Sequence, residues 1–416
     1  MMNAGRHNSA LVLVTVLWVV MVMTAIVTVV SQTSRLNMKM ATVASDEVRC
    51  KWACRAGTET AIGVLNEDLR DTDCLMDLWS DNDEDFNNIQ LERCIYSVRV
   101  IDEAGKLNVN IATKDQLMAL PYMEEHIADA ILDWRDEDED LRSEGAEAGY
   151  YETLLYPYTI RNEGFRTIRE LLRVKGVTED LLYGEDTNLN GELDYNEMDG
   201  EISPPFDNGD DYLDEGWIAY LTCYSYDQNV DAEGNRRVNV NSADERQLQR
   251  DLSISRSQAQ WIVQNRGRGF ESIGDLIPSG RSGGSQGGNG GTPLDAETFS
   301  QIADRITIHN EQQIPGKINI NTAPKEVLVT LFGDVEQGEQ LAYSVIAERS
   351  TLLYGFESIA DLINVESVGL DRFKQIAELI TVRSNVYTIR TFATAEVSGA
   401  KLQTAVSYTH LTLPTN

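Results

Sequence analysis

The sequence predicts an α+β protein: one long N-terminal helix, strands at both ends of the region beyond it, and a large helical insertion between those strands. Three observations carry this reading. An uncharged apolar run at residues 10–30 continues into helical periodicity, period-two segments stand near residues 96–110 and 386–406, and one pattern recurs three times between them. A chain of 416 residues suits roughly two to four compact units rather than one.

The N-terminal run spans 21 residues without a charge. At ~1.5 Å per residue it reaches ~31 Å, enough to cross the hydrocarbon core of a bilayer. It exceeds the ~7–15-residue core of a secretory signal, and no A-x-A site closes it, so the expectation is a retained anchor. Arg6 and His7 precede the run and Arg35 and Lys39 follow it, a weak bias for orientation. The acidic remainder is placed on the far side of the membrane. Past the span, Met40, Val43, Ala44, Val48, Trp52, Ala56, Ala61, Val64 and Leu65 recur at mostly three- and four-residue steps without proline, predicting one amphipathic helix over residues 36–69. Cys50 and Cys54 read as small packing residues on it, while Cys74 and Cys94 flank the next connection and are a candidate disulfide in an oxidising space.

Next, Tyr96, Val98 and Val100 alternate with Ser97, Arg99 and Ile101, and Asp102-Glu103-Ala104-Gly105 leads into Leu107-Asn108-Val109-Asn110, predicting a hairpin. A second hairpin is predicted where residues 386–397 and 402–406 flank Ser398-Gly399-Ala400-Lys401.

Between the hairpins lies the repeat. Leu107-Asn108-Val109-Asn110-Ile111-Ala112, Val238-Asn239-Val240-Asn241-Ser242-Ala243 and Ile318-Asn319-Ile320-Asn321-Thr322-Ala323 each open an apolar helical stretch. A second helix then ends on Arg135, Arg266 or Arg349, and an aromatic-led element begins at Phe165, Phe270 or Phe356. An Asn or Thr near each helix start can cap exposed N–H groups while the apolar positions close a small core.

Composition restricts the function. Lys and Arg number 35 against 67 Asp and Glu, a net charge of −32, and such a body repels a phosphate backbone. Neither the five cysteines nor the four histidines make a zinc spacing. Gly283-Gly284-Ser285-Gln286-Gly287 matches G-x-S-x-G, but it lies in a Gly/Ser-rich run without the strand and helix of a nucleophile elbow. With no nucleophile constellation elsewhere, the expectation is a protein that is not an enzyme.

The sharpest chemical signal is the twelve-residue stretch 186–197, with oxygen-bearing side chains at positions 1, 3, 5 and 9, Gly at 6 and Glu at 12. Calcium takes about six to eight hard oxygen ligands, and a loop of this type supplies them. The candidate ligands for Ca2+ are Asp186, Asn188, Asn190, Glu192 through its carbonyl, Asp194 directly or through water, and bidentate Glu197. Residues 185–216 hold 12 Asp or Glu and no Lys or Arg, so an acidic solvated turn is the plainer reading, but acidity alone does not place the Gly and the final Glu. Asp207, Asp210, Asp211 and Asp214 are a second candidate, and Asp133, Asp136, Asp138 and Asp140 a third.

The repeat resembles the helix-hairpin-helix, or SAM-like, fold of many DNA-binding proteins and of competence DNA receptors. Such modules hold phosphate on Gly-rich hairpins, whereas Leu120-Pro121-Tyr122-Met123-Glu124-Glu125, Leu252-Ser253-Ile254-Ser255 and Leu331-Phe332-Gly333-Asp334-Val335-Glu336 lack Gly-x-Gly, and two carry acids. They read as protein-packing modules. A membrane-anchored DNA receptor of the competence type is the alternative function.

The whole chain resembles a second family more closely. Ser9-Ala10-Leu11 entering the apolar helix with Leu17-Trp18, the rod at residues 53–65, Leu107-Asn108-Val109-Asn110, Asp133-Trp134-Arg135-Asp136, Gly145-Ala146-Glu147, Tyr150-Tyr151 and Glu170-Leu171-Leu172-Arg173-Val174-Lys175-Gly176 are similar to general secretion pathway protein K, the minor pseudopilin of type II secretion. The resemblance covers residues 9–397. It implies a pilin-like helix plus antiparallel sheet carrying a large inserted helical domain of SAM-like, helix-hairpin-helix repeats, with calcium binding. It further implies a place at the pseudopilus tip, initiating assembly and limiting length in protein export across the outer membrane. The implied partners are the I- and J-type minor pseudopilins, the major pseudopilin, prepilin peptidase and the inner membrane, with a periplasmic C-terminal domain and no nucleic acid. The family lacks the glutamate that other pilins carry at mature position five, and processing before Ser9 puts Leu13 there. Asn8 rather than glycine precedes Ser9, and the nearest glycine is Gly5.

The expected organisation is a leader at 1–8, a transmembrane helix at 9–31, its amphipathic extension at 32–70 and pilin-like strands at 71–111. A first helical unit with the calcium loop follows at 112–216, a second at 217–278, a Gly/Ser-rich linker at 279–292, a third unit at 293–380 and C-terminal strands at 381–406. Residues 407–416 read as a translated adaptor sequence and are set aside.

Overall fold

The computed structural model describes residues 5–68, 71–200, 202–205, 207–278, 291–333 and 335–409. They fall into two compact units.

The first unit holds residues 1–61, 83–99 and 390–405 and is organised by the helix Gly5–Glu67. The apolar window of this helix is wholly unburied, with a mean hydropathy of 2.7, which fits a single-pass anchor. Farther along, the buried positions are Asp46, Cys50, Ala53, Cys54, Gly57, Ala61 and Leu65. This face shares Ala61 and Leu65 with the expected one but not Met40, Val48 and Trp52, which are 57%, 55% and 60% exposed. The reason is steric: small side chains let the helix lie close on strands. A Cβ on Gly57 would stand 2.8 Å from Thr391 Cγ2, 2.8 Å from Val98 Cγ2 and 2.9 Å from the Tyr96 ring.

The four-stranded sheet runs in the order Ile89–Leu91, Cys94–Asp102, Val386–Ala395, Lys401–Thr409. Along Cys94–Asp102 every second residue is buried, the period-two signature of a sheet with one covered face. Its hairpin partner is Ile89–Leu91, antiparallel, with Leu91 opposite Cys94. The expected pairing of residues 96–101 with 107–110 is therefore corrected. The C-terminal hairpin forms as expected, closed by Ala395 N–H on the Ala400 carbonyl at 2.8 Å, and its last strand continues through Thr409, into the segment set aside above.

The second unit holds residues 62–82, 100–389 and 406–416 and is built from the repeat. Each copy opens on a two-residue strand, passes through a helical hairpin, a 3-10 turn and a further helix, and closes on a second two-residue strand parallel to the first. The pairs are Leu107–Asn108 with Leu221–Thr222, Val238–Asn239 with Ile306–Thr307, and Ile318–Asn319 with Ile380–Thr381. The hairpin helices are Lys114–Met118 and Glu125–Arg135, Glu245–Leu252 and Arg256–Asn265, and Lys325–Thr330 and Val335–Arg349. Leu107 leaves its expected hairpin because its N–H donates to the Tyr220 carbonyl at 2.9 Å. The turn before it is tied inward by the buried Asp102, which accepts from Ala104 N–H at 2.7 Å and from Ser384 Oγ at 2.6 Å.

The copies share one apolar core that includes Leu117, Ile131, Leu248, Ile262, Leu328 and Phe373. The helix Ala296–Ile302 closes the second copy, since its Phe299 and Ile302 are buried and the chain runs from it into Ile306–Thr307. Residues 293–307 thus complete the second repeat rather than opening the third. Residues 279–290 of the expected linker lie outside the described residues.

Candidate functional site

Three side-chain relationships recur in each repeat. The first Asn, 108, 239 or 319, accepts through Oδ1 from the N–H of Asn110, Asn241 or Asn321 at 3.0, 2.8 and 3.0 Å. The second Asn grips the backbone of the aromatic residue: its Oδ1 accepts from the N–H of Phe165, Phe270 or Phe356 at 2.6, 2.7 and 2.8 Å, and its Nδ2 donates to that residue's carbonyl at 2.9, 3.1 and 3.0 Å. The arginine closes the turn that starts the first helix. Arg266 donates to the carbonyls of Val240 and Ala243, Arg349 to those of Ile320 and Ala323, and Arg135 to those of Val109 and Ala112. Burial lowers the pKa of Arg135 to about 10 and also that of Arg349. The repeated polar residues thus pair with backbone groups that burial would otherwise leave unsatisfied.

The loop at 186–197 is an insertion in the first repeat, between the helix Glu179–Tyr183 and the closing strand. Asp186 and Glu197 are 2% and 1% exposed. Asp186 accepts from Asn190 N–H and Gly191 N–H, both at 2.9 Å. Asn188 and Asn190 both reach Asp194 Oδ2, at 2.7 and 2.9 Å, and Asn188 Nδ2 also lies 3.4 Å from Glu197 Oε1. Glu197 Oε2 accepts from Asp194 N–H at 2.9 Å. Gly191 takes the left-handed conformation, φ 69°, that the sixth position of such a loop requires. The structure therefore brings Asp186, Asn188, Asn190, Asp194 and Glu197 together, whereas the Glu192 side chain is exposed and its N–H donates to Asn190 Oδ1 at 2.8 Å. Burial, with Asp194 and Asp186 beside it, raises the Glu197 pKa. An all-oxygen donor set with two buried carboxylates fits a hard cation.

The segment with Asp207, Asp210, Asp211 and Asp214 is clasped to this loop through Glu185, whose N–H donates to the Asp214 carbonyl at 2.9 Å and whose Oε2 accepts from Asp214 N–H at 3.0 Å. Asp207 accepts from Gly200 N–H and Gly209 N–H, both at 2.7 Å, and Asp210 from Tyr212 N–H at 2.9 Å, so these carboxylates shape turns. The third candidate divides. Asp133 is fully buried and Asp136 half-buried, but Asp138 and Asp140 are exposed, with Asp138 Oδ1 accepting from Asp140 N–H at 2.8 Å. The expected Cys74–Cys94 bridge is absent: all five cysteines are free thiols, and Cys94 Sγ lies 3.9 Å from Cys50 Sγ.

Residues 105–183 and 318–383 match two family models, each described as type II secretion system protein K. Over these two regions the chain is similar to the protein K family. One match covers most of the first repeat and the other the whole of the third, so the protein K regions coincide with the structural repeat. Among solved structures, a chain of the GspK–GspI–GspJ complex of the type 2 secretion system from enterotoxigenic Escherichia coli is similar at 14% identity, covering 88% of this chain and 93% of that chain with a TM-score of 0.46. No curated protein matches.

One part of the repeat is not legible in the sequence. Leu221-Thr222, Ile306-Thr307 and Ile380-Thr381 are its closing strands, and each Thr hydroxyl accepts from the N–H two residues on, in Tyr224, His309 and Arg383, at 3.2, 3.1 and 3.2 Å. An apolar residue followed by Thr after each third helix was the available signal.

Proposed function

We propose that this chain is the K-type minor pseudopilin at the tip of a type II secretion pseudopilus, anchored in the inner membrane with its C-terminal domain in the periplasm. It joins I- and J-type minor pseudopilins, initiates assembly and limits fibre length in an architectural, non-catalytic role. The observation that carries the reading is the coincidence of both protein K regions with the repeat of the inserted domain. The long helix supports it. Beyond its apolar span, Met38, Val48 and Trp52 remain 55–69% exposed, on the side of the helix away from Cys50, Ala53 and Gly57, which the strands of its own unit cover. Apolar side chains in such a stripe are what a neighbouring helix of the same fibre would cover.

In this role the inserted repeats, far larger than the sheet unit, end the stack. The loop at 186–197 holds Ca2+ through Asp186, Asn188, Asn190, the Glu192 carbonyl, Asp194 and Glu197, and the ion neutralises a segment that otherwise repels itself. The protein K matches and the net charge of −32 both favour secretion over a DNA receptor. Deleting residues 112–380 and measuring pseudopilus length in cells tests the reading. Longer fibres are expected, and unchanged length contradicts the capping role.

A further inference from the structure

We infer that Cys50 and Cys94 form an intramolecular disulfide that staples the long helix to the sheet of its own unit. Cys50 lies on the closely packed face of that helix, about two turns ahead of Gly57. A Cβ on Gly57 would stand 2.8 Å from Val98 Cγ2 and 2.9 Å from the Tyr96 ring, so this face runs along one strand. On that strand Cys94, Tyr96 and Val98 alternate onto the covered side. Two turns back along the helix therefore leads to the first residue of the strand. The sulfurs meet there, 3.9 Å apart, with Cys50 fully buried and Cys94 1% exposed.

The other thiols are placed elsewhere. Cys54, one turn on, is turned to the carbonyls of Thr391 and Leu402, at 3.6 and 3.5 Å. Cys74 and Cys223 belong to the second unit, where Cys74 Sγ donates to Asp77 Oδ1 at 3.4 Å. Cys50 Sγ has one further acceptor, the Ala400 carbonyl at 3.4 Å. A disulfide holds its sulfurs at about 2.05 Å, and side-chain rotation at the two cysteines closes the gap while giving up only weak S–H hydrogen bonds. Burial, with Cys94 beside it, raises the Cys50 pKa to about 11. Little thiolate is present once the chain is folded, so the bond forms as the helix settles on the sheet. The oxidant is an external organic disulfide of the kind an oxidising compartment maintains, and its presence around this unit rests on the periplasmic placement proposed above. One cysteine thiolate attacks a sulfur of the oxidant and expels a thiol, and the second cysteine displaces the other thiol from the mixed disulfide. The two cysteines lose two protons and two electrons, which the oxidant takes up as it becomes two thiols. The linked positions are 44 residues apart, so the bond restricts the unfolded chain and fastens the helix to its sheet.

The test is a peptide map, because trypsin separates the cysteines: Cys50 falls in residues 50–51, Cys54 in 52–55, Cys74 in 71–93 and Cys94 in 94–99. The full chain is isolated from membranes in detergent with N-ethylmaleimide present to block free thiols, then digested without reductant. The expected product is 50–51 joined to 94–99, absent after reduction. A second sample, purified and reduced, is incubated with oxidised glutathione at alkaline pH. The linked peptide in this sample alone upholds the pairing and counts against the periplasmic placement instead. Cys94 joined to 52–55 or 71–93, or Cys50 and Cys94 blocked as free thiols in both samples, would overturn the inference. The thermal midpoint of the oxidised chain should fall when reductant is added. Cys94→Ala should abolish that fall and Cys54→Ala should keep it, and if Cys94→Ala does not fold, the map of the parent decides.

Discussion

The side-chain amide of Asn321 holds the backbone of Phe356 at both ends, accepting from its N–H at 2.8 Å and donating to its carbonyl at 3.0 Å, with both residues buried. Thirty-five residues apart in sequence, the pair fixes the 3-10 turn of the third repeat against the start of its first helix. Asn321→Ala would leave two backbone groups buried without partners. The expected cost is on the order of 2–4 kcal/mol, seen as a lower urea midpoint. Asn110→Ala and Asn241→Ala, at less buried positions, should cost less.

In the first unit the close approach at Gly57 is the sensitive point. Gly57→Val adds methyl groups where even a Cβ meets Thr391 and Val98 at 2.8 Å. Overpacking of this kind costs about 1–3 kcal/mol. Limited proteolysis should therefore cut the strands at 83–99 and 390–405 faster in this variant, whereas Gly63→Val, at a position with nothing within 4 Å, should leave the rate unchanged.

Asp227 contributes to the acid sensitivity of the second unit. Its burial favours the neutral acid, but Arg237, Lys317 and Arg383 outweigh that and lower its pKa. Arg237 binds it through both nitrogens, at 2.8 and 3.2 Å. A folded pKa below the unfolded value of about 3.9 means that its contribution is present above that pH and is lost as the pH falls through the folded value. Asp227→Asn should destabilise by about 3–5 kcal/mol at pH 7, with the difference from the parent shrinking below about pH 4. A difference that persists at low pH would place the effect in packing rather than charge.

For the loop at 186–197, chelation should lower the thermal midpoint of the full chain, and Glu197→Gln should remove that loop's part of the response. A ligand at about 100 times its Kd stabilises the folded state by about 2.7 kcal/mol, so the shift is measurable by differential scanning fluorimetry. An equal calcium-dependent rise in parent and variant counts against calcium at this loop.

Much of this architecture is legible in the sequence because it is written in repeated residues. Asn110, Asn241 and Asn321, with their arginines and phenylalanines, stand out because each makes the same backbone bonds in every copy. The closing strands were missed because two residues give no periodicity. The boundary after the second repeat was misplaced because a Gly/Ser-rich run looks like a linker between domains, although here it lies within a repeat. The helix face was misassigned for a different reason: Cys50, Ala53, Gly57 and Ala61 carry little hydrophobicity, and close packing rather than apolar bulk selects them. Of the acidic clusters, the 186–197 loop is legible from its spacing.

The most direct test of a K-type tip role is co-purification of the full chain with its cognate I- and J-type minor pseudopilins from detergent-solubilised membranes, in calcium and in chelator. A complex of all three that survives size exclusion in calcium and weakens in chelator is the expected result. Recovery of the chain without either pseudopilin in both conditions would contradict it.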